Sequence, residues 1–342
     1  MDFEFSAEQY ALRDLARDVV EKVSPPSRLR ELWDGAGRGE DAWRTLAEVG
    51  LLGVIVPEEH GGAGGDLLDL ALVLEEAGCA ALPEPLLETV AVAVPLLVEG
   101  GNDEQCQQWL PRIAAGEAIV TVQLGGAPFA VDGDIADLLI LDAGDELHAV
   151  PRASYEAVQV ATEDRARRLF EVTATTGAHT LMPGGRDVDR RAGEVASVAT
   201  ASVLNGVSSK LLALSIDYAS TRHQFGRPIG SFQAVKHELA TLHLAVESAR
   251  AATWYGAYAL ARDLDDRTEA ASVAKAAASD AAARVNRGAL QVHGGIGFTW
   301  EHDLHLWLKR GLALQAAYGD AAAHRAVAAD LLRARSADDG ER

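Results

Sequence analysis

Residues 221–240 read TRHQFGRPIGSFQAVKHELA. An apolar helical stretch runs into Arg222, the chain turns through Gly226, Pro228 and Gly230, and helix resumes at Ser231. Such a turn has two uses. It can simply join two helices and leave its arginine in water. It can also present Arg222 and a helix N-terminus to an anion such as a dinucleotide pyrophosphate, with Gln233 placed to hydrogen-bond an adenine or ribose edge. Residues 291–303, QVHGGIGFTWEHD, shift the balance toward the second use. Gly294, Gly295 and Gly297 close a long helix and let backbone approach a ligand with no Cβ in the way, and Gln291 stands one turn before them. Either block alone is weak, because helix C-caps also use glycine.

The segments around these blocks set the architecture. Ser6 opens an amphipathic helix as N-cap, Gln9 completes a capping box, and Pro25-Pro26 end the helix. Helical patterns recur in EDAWRTLAEVG up to Gly50, from Asp66 to Gly78, and over 86–116 with breaks at Pro95 and Gly100-Gly101. At Ala118 the character changes: AIVTVQL, ADLLILDA, ELHAVPR and LFEVTAT are short, β-branched runs separated by Gly, Asp and Pro. Alanine-rich helix then returns over 193–222, 231–263, 268–291 and 303–335. The reading is mainly α with a small β domain: an N-terminal helical domain at 1–117, a β domain at 118–187, a C-terminal helical bundle at 188–335 and a frayed tail at 336–342.

Composition narrows the chemistry. The 342 residues include 31 basic and 51 acidic side chains, a net charge of −20. An acidic surface repels phosphate backbones and anionic lipid, so no nucleic-acid partner and no membrane partner is expected. Any anionic cofactor or thioester must be held by a local cluster of positive charge. The N-terminus lacks a signal-peptide pattern, and the apolar runs read as too short to span a bilayer, which predicts a cytoplasmic protein. Cys79 and Cys106 have no metal-ligand spacing and read as reduced thiols. His293, His302 and His305 surround the glycine block, but capping and surface roles fit them better than a metal site. Lys275 reads as a packed stem rather than a reactive amine.

Taken in order, the two blocks resemble the acyl-CoA dehydrogenase family. Arg222, Phe225, Gly226, Ile229, Phe232 and Gln233 match an RxxFGxxIxxFQ pattern, and Gln291, Gly294, Gly295, Gly297 and Phe298 match QxxGGxGF. GLLGVIVPEEHGGAGG, residues 50–65, is similar to the family's N-terminal GLLGxxxPExxGGxG segment. The resemblance implies an N-terminal helical domain, a middle β domain and a C-terminal four-helix bundle. It implies FAD shared at a subunit interface, with Arg222, Phe225, Gln233, Gln291, Gly294 and Gly295 completing the ADP pocket of a neighbouring chain. It also implies an acyl-CoA substrate and an electron-transfer acceptor that the sequence does not name.

The same resemblance exposes a gap. The family reaction removes the α-proton of an acyl-CoA thioester with a glutamate while the β-hydrogen leaves as hydride to the flavin. Carried without gaps from Gln291, one glutamate position falls on Tyr318, a phenol with an ordinary pKa of about 10. The other, counted back from Arg222, falls on Ala196, with Ser197 where an arginine usually follows. Asp320 and Glu194 each lie two residues from these positions, a rotation of about 200° on a helix. The T-E-P-x-x-G-S-D-like turn that serves flavin and CoA is replaced by TVQLGGAPFAVDGD, residues 121–134, where Gly125 and Gly126 keep only a turn. The chain thus retains motifs that serve a neighbour's flavin and lacks those that build its own site.

Three readings follow. The first is the base-lacking subunit of a heteromeric acyl-CoA dehydrogenase, an α2β2 heterotetramer with a homologous chain, of the kind known for bulky or steroid side-chain CoA esters. The second is a homo-oligomeric enzyme with a displaced base, Asp320 or Glu194. The third is a flavin-free binding or assembly protein on the same fold.

Overall fold

The computed structural model describes residues 4–340 except 36, 38, 126 and 145, and of residues 186 and 337–340 the backbone alone. Helix α1 (Ala7–Val23) begins at a capping box in which Ser6 accepts from the Gln9 amide and the Gln9 side chain accepts from the Ser6 amide. Helix α2 (Pro26–Trp33) starts where the sequence suggested only a stop. Pro26 occupies its first turn, where the missing N–H has no helical partner to lose. Helices α3 (Asp41–Glu48) and α4 (Leu67–Cys79) follow, the latter opened by an Asp66/Asp69 capping box.

The expected break at Pro95 is absent. A π-helical stretch, Leu87–Ala93, runs directly into α5 (Val94–Gly100), with Pro95 in the first turn of the new hydrogen-bond register. Helix α6 (Asp103–Ala114) completes the N-terminal part.

Among the described residues seven short strands form two small sheets in the part that follows. In the first, β1 (Val120–Gln123) pairs parallel with β3 (Leu138–Asp142), which pairs antiparallel with β4 (Leu147–Pro151), and β4 with β7 (Leu181–Met182). The second orders β2 (Ala130–Val131), β6 (Leu169–Ala174) and β5 (Tyr155–Val160), all antiparallel. Tyr155 ties the first sheet's entry to the second: its hydroxyl donates to the Gly133 and Ala136 carbonyls at 3.0 and 2.8 Å.

Helix α7 (Gly185–Thr221) begins earlier than the sequence boundary at 188 and runs 37 residues as the spine of the molecule. It passes the length and composition test for a membrane span, which the sequence reading had denied to every apolar run. Yet 89% of its apolar window is buried inside the protein, so its hydrophobicity is spent on the core. After the hairpin β8 (His223–Gln224) and β9 (Arg227–Pro228) come α8 (Gln233–Ala261) and α9 (Arg267–His293). The helix expected over 303–335 is two: α10 (Leu304–Ala316) and α11 (Ala321–Gly340), separated at Tyr318 and Gly319, both with positive φ. Helix α11 enters the segment read as a frayed tail, whose last two residues lie outside the described ones.

The N-terminal helices and the bundle share one core. Trp33, Leu46, Val73, Leu204, Val285 and Trp307 belong to a single buried cluster. A second cluster joins Leu97, Ile113, Val122, Ile140 and Ala196, fastening the first sheet to both helical parts. The shared core needs a close crossing of α4 and α7. A Cβ on Gly206 would lie 1.9 Å from the Glu75 carbonyl oxygen, and one on Gly78 would lie 2.1 Å from that of Val203.

Gly206→Ala is therefore expected to lower the unfolding free energy by about 3 kcal/mol, read from the midpoint of urea denaturation. Gly193→Ala, on the same helix where nothing lies within 4 Å of an added Cβ, is expected to raise it by about 1 kcal/mol.

Candidate functional site

Helix α7 ends at Arg222, whose amide donates to the Tyr218 carbonyl at 2.8 Å. The hairpin that follows turns through Phe225 (φ 53°) and Gly226 (φ 77°), the double left-handed geometry of a type I′ turn. Its tip presents Phe225 almost entirely to solvent, 92% exposed. Phe232 meets Phe225 edge-on at 6.1 Å, and the Arg227 guanidinium stacks 4.1 Å over Phe232. Helix α8 then starts at Gln233 with no side-chain cap, so the N–H groups of its first turn face outward unclaimed by any side chain cap.

Between this turn, α8 and α9 lies a groove of about 1260 Å³. One wall is apolar, with Phe225, Ile229 and Phe232; the other is the polar edge of α9, with Arg284, Arg287 and Gln291. The structure thus brings Phe225 and Gln291 together. Arg222, Gln233, Gly294 and Gly295 are exposed nearby but do not line the groove. Gly294 adopts φ 61°, ψ −139°, a conformation reserved for glycine, and the space before Gly294 and Gly295 is open. The segment over residues 50–65 is structural instead: the Ala63, Gly64 and Gly65 amides donate back to the Gly53, Val56 and Val54 carbonyls.

Arg284 and Arg287 escaped the sequence reading. Their spacing from Gln291, seven and four residues earlier on one helix face, was the available signal. Among the described residues, the arginine side chains with no hydrogen bond and no ion pair are Arg222, Arg227, Arg284 and Arg287. All four flank the turn and the groove. In a chain with a net charge of −20, carboxylates are not scarce. Guanidinium groups without a carboxylate partner are the chemistry that an anionic ligand would need.

The expected base positions are differently built. Tyr318 is half-buried and packs against both main core clusters. Burial pushes its phenol pKa further up, the Glu88 carboxylate adds to that, and Arg167 opposes it. Glu88 is itself buried and paired with Arg167 at 3.0 Å. The cavity beside Glu88 and Arg167 holds about 40 Å³, room for water but not for an acyl chain. Ala196 is fully buried in the second core cluster, and the Ser197 hydroxyl donates to the Gly193 carbonyl at 2.7 Å.

The two neighbouring acids are engaged elsewhere. Asp320 is exposed and caps α11, accepting from the Ala323 amide at 2.8 Å. That bond holds its pKa below the ordinary carboxylate value. Glu194 is bonded by Arg190 at 3.0 Å and by the Thr268 hydroxyl at 2.6 Å, with Arg267 at 3.4 Å. Asp132 and Asp134, from the segment that replaces the flavin-contacting turn, both pair with Arg168. Gly125 has a positive φ there, while Gly126 lies outside the described residues.

Lys275 is fully buried. Its ammonium donates to the Gly319 carbonyl at 2.8 Å, the Gln315 carbonyl at 3.1 Å and the Ser279 hydroxyl at 3.2 Å. Burial brings its pKa down to about 8, with Asp320 pulling the other way. His293 stacks on Tyr218 at 4.6 Å and bonds the Ala289 carbonyl, His302 accepts from the Leu304 amide, and His305 lies between Trp33 and Trp300. Among the described residues no group of three or more His, Cys, Asp or Glu is arranged to hold a metal ion.

Comparison with known proteins matches this geometry to a family. Residues 6–117 match the acyl-CoA dehydrogenase N-terminal domain and residues 185–332 the acyl-CoA dehydrogenase C-terminal domain. The chain is 37% identical over 305 residues to acyl-CoA dehydrogenase IpdE2 of Mycobacterium tuberculosis, covering 89% of this chain and 90% of that protein. It superposes with a TM-score of 0.87 and 28% identity on a chain of the ChsE4–ChsE5 complex from Mycobacterium tuberculosis, covering 97% of this chain and 99% of the other. The Tcur3481–Tcur3483 steroid ACAD G363A variant gives the same score and identity, covering 96% and 99%. The chain belongs to the acyl-CoA dehydrogenase family.

Two measurements follow from the engaged acids and the buried lysine. Asp320→Ala is expected to lower the melting temperature and Asp320→Asn to leave it unchanged, since asparagine caps helices as well as aspartate does. Between pH 8 and 10.5 the unfolded chain binds a proton at Lys275 that the folded chain does not. The stability of the parent relative to Lys275→Met should therefore rise with pH across that window.

Proposed function

We propose that this chain is the base-lacking subunit of a heteromeric, FAD-dependent acyl-CoA dehydrogenase, paired with a homologous chain as an α2β2 heterotetramer. The substrate class is a bulky, steroid-derived acyl-CoA thioester. Support for the pairing and the substrate comes from two similar structures, one a complex of two named chains and the other a steroid acyl-CoA dehydrogenase. The observation that carries the reading is that a half-buried phenol, Tyr318, packed against both core clusters, stands where the family's glutamate is expected.

The residues present fit one end of the cofactor and not the other. Unpaired guanidinium groups, the uncapped start of α8 and the open approach to Gly294 and Gly295 suit an anionic dinucleotide. Arg222 and Phe225 would hold the pyrophosphate and adenine ends, with Gln233, Gln291, Gly294 and Gly295 completing the pocket. Near Tyr318, among the described residues, Glu88 is held by Arg167 and the cavity beside that pair measures about 40 Å³. FAD, when bound, accepts the hydride from the substrate β-carbon. The role of this chain is to bind and orient it from outside, while the α-proton goes to a glutamate of the partner.

The test is flavin stoichiometry of the chain expressed alone and with a homologous partner. The lone chain should be colourless or insoluble, and the co-eluting pair should carry one FAD for every two chains. One FAD per lone chain would overturn the reading. In the assembled pair Asp320→Asn should leave turnover unchanged, whereas Arg222→Gln should weaken FAD binding by about tenfold.

A further inference from the structure

The groove contains a feature outside the family pattern that the sequence displays. Arg284, Arg287 and Gln291 form one stripe along α9, rising about 10 Å from first to last. Neither arginine has a partner among the described residues, and both are exposed. Like charges three residues apart repel one another, so this arrangement weakens the isolated helix. Two acids also line the groove. Asp280 is neutralised by Arg325 at 2.6 Å, which leaves Glu238 against two guanidinium groups and a net positive wall. The opposite wall is Phe225, Ile229 and Phe232. A groove with an aromatic wall facing a cationic one suits a ligand that is a flat base at one side and phosphate at the other.

We infer that Arg284 and Arg287 are additional phosphate-binding residues for the dinucleotide shared with the partner subunit, a second cationic contact beside that of Arg222. This rests on the reading of the chain as the outer half of the FAD site. It assigns to α9 a share of cofactor affinity that the RxxFG and QxxGG motifs do not carry.

The inference is tested on the co-purified heteromer stripped of flavin, with FAD affinity read by fluorescence quenching over a range of salt concentrations. Arg284→Gln/Arg287→Gln should raise the Kd for FAD at least about tenfold and flatten its salt dependence. Melting temperature and gel-filtration position should stay as in the parent, since both side chains are exposed. Arg222→Gln is measured beside it. If the double variant binds FAD like the parent while Arg222→Gln weakens it, the inference is overturned and the reading of the site survives. If the double variant instead dissociates into subunits, and the intact remainder binds FAD normally, the arginines meet partner carboxylates and the inference is again wrong. If neither variant changes FAD binding, the reading of the site fails and takes the inference with it.

Discussion

A buried lysine governs the part of this molecule where function is decided. Lys275 sends its ammonium to the carbonyls of Gln315 and Gly319, the two sides of the break between α10 and α11. His324 adds a bond from Nε2 to the Tyr318 carbonyl at 2.9 Å. Orphan carbonyls at a helix C-terminus need donors when they are enclosed, and a cation is the strongest available. With these bonds in place, Tyr318 holds a left-handed backbone conformation and its ring turns into the core. A proton acceptor at that place would need a carboxylate, and Tyr318 supplies a phenol whose pKa burial pushes up.

The arginines divide along the same line. Inside and around the N-terminal and β parts they are consumed by carboxylates: Arg167 by Glu88, Arg168 by Asp132 and Asp134, Arg310 by Asp164. Such pairs fill space that a ligand would otherwise use, and removing one partner would leave a buried charge. Around the hairpin tip and the α9 edge the arginines are free. Closure within and openness without agree with the proposed role of a subunit that lends a surface to its neighbour's site.

Much of this was legible in the chain. The capping box at Ser6, the strand runs after Ala118 and the two glycine-bearing blocks state their structure locally, through side-chain chemistry within a few residues. What was missed depends on distant partners. Pro26 reads as a stop but serves as a first helical residue, and Pro95 reads as a break but falls where the helix changes register. The split between α10 and α11 is marked locally by Gly319 and the Asp320 cap, but the bonds that brace it come from Lys275, some forty residues away in sequence. The roles of Asp320 and Glu194 were likewise undecided until their bonds to the Ala323 amide and to Arg190 were visible. The spacing of Arg284 and Arg287 from Gln291 places them on one helix face, but that they lack a carboxylate partner depends on the fold.

The four unpaired arginines have a consequence beyond any contact they make. A body with a net charge of −20 is repelled by most proteins of its own sign at every orientation. The hairpin and the α9 edge carry four guanidinium groups with no carboxylate partner among the described residues, which makes the field lopsided. For the proposed homologous partner, if acidic, such a field would exert a torque that turns this end toward it before any surfaces touch. Mutual repulsion keeps like chains apart over the rest of the surface, so the same charges that would receive a cofactor also choose the direction of encounter.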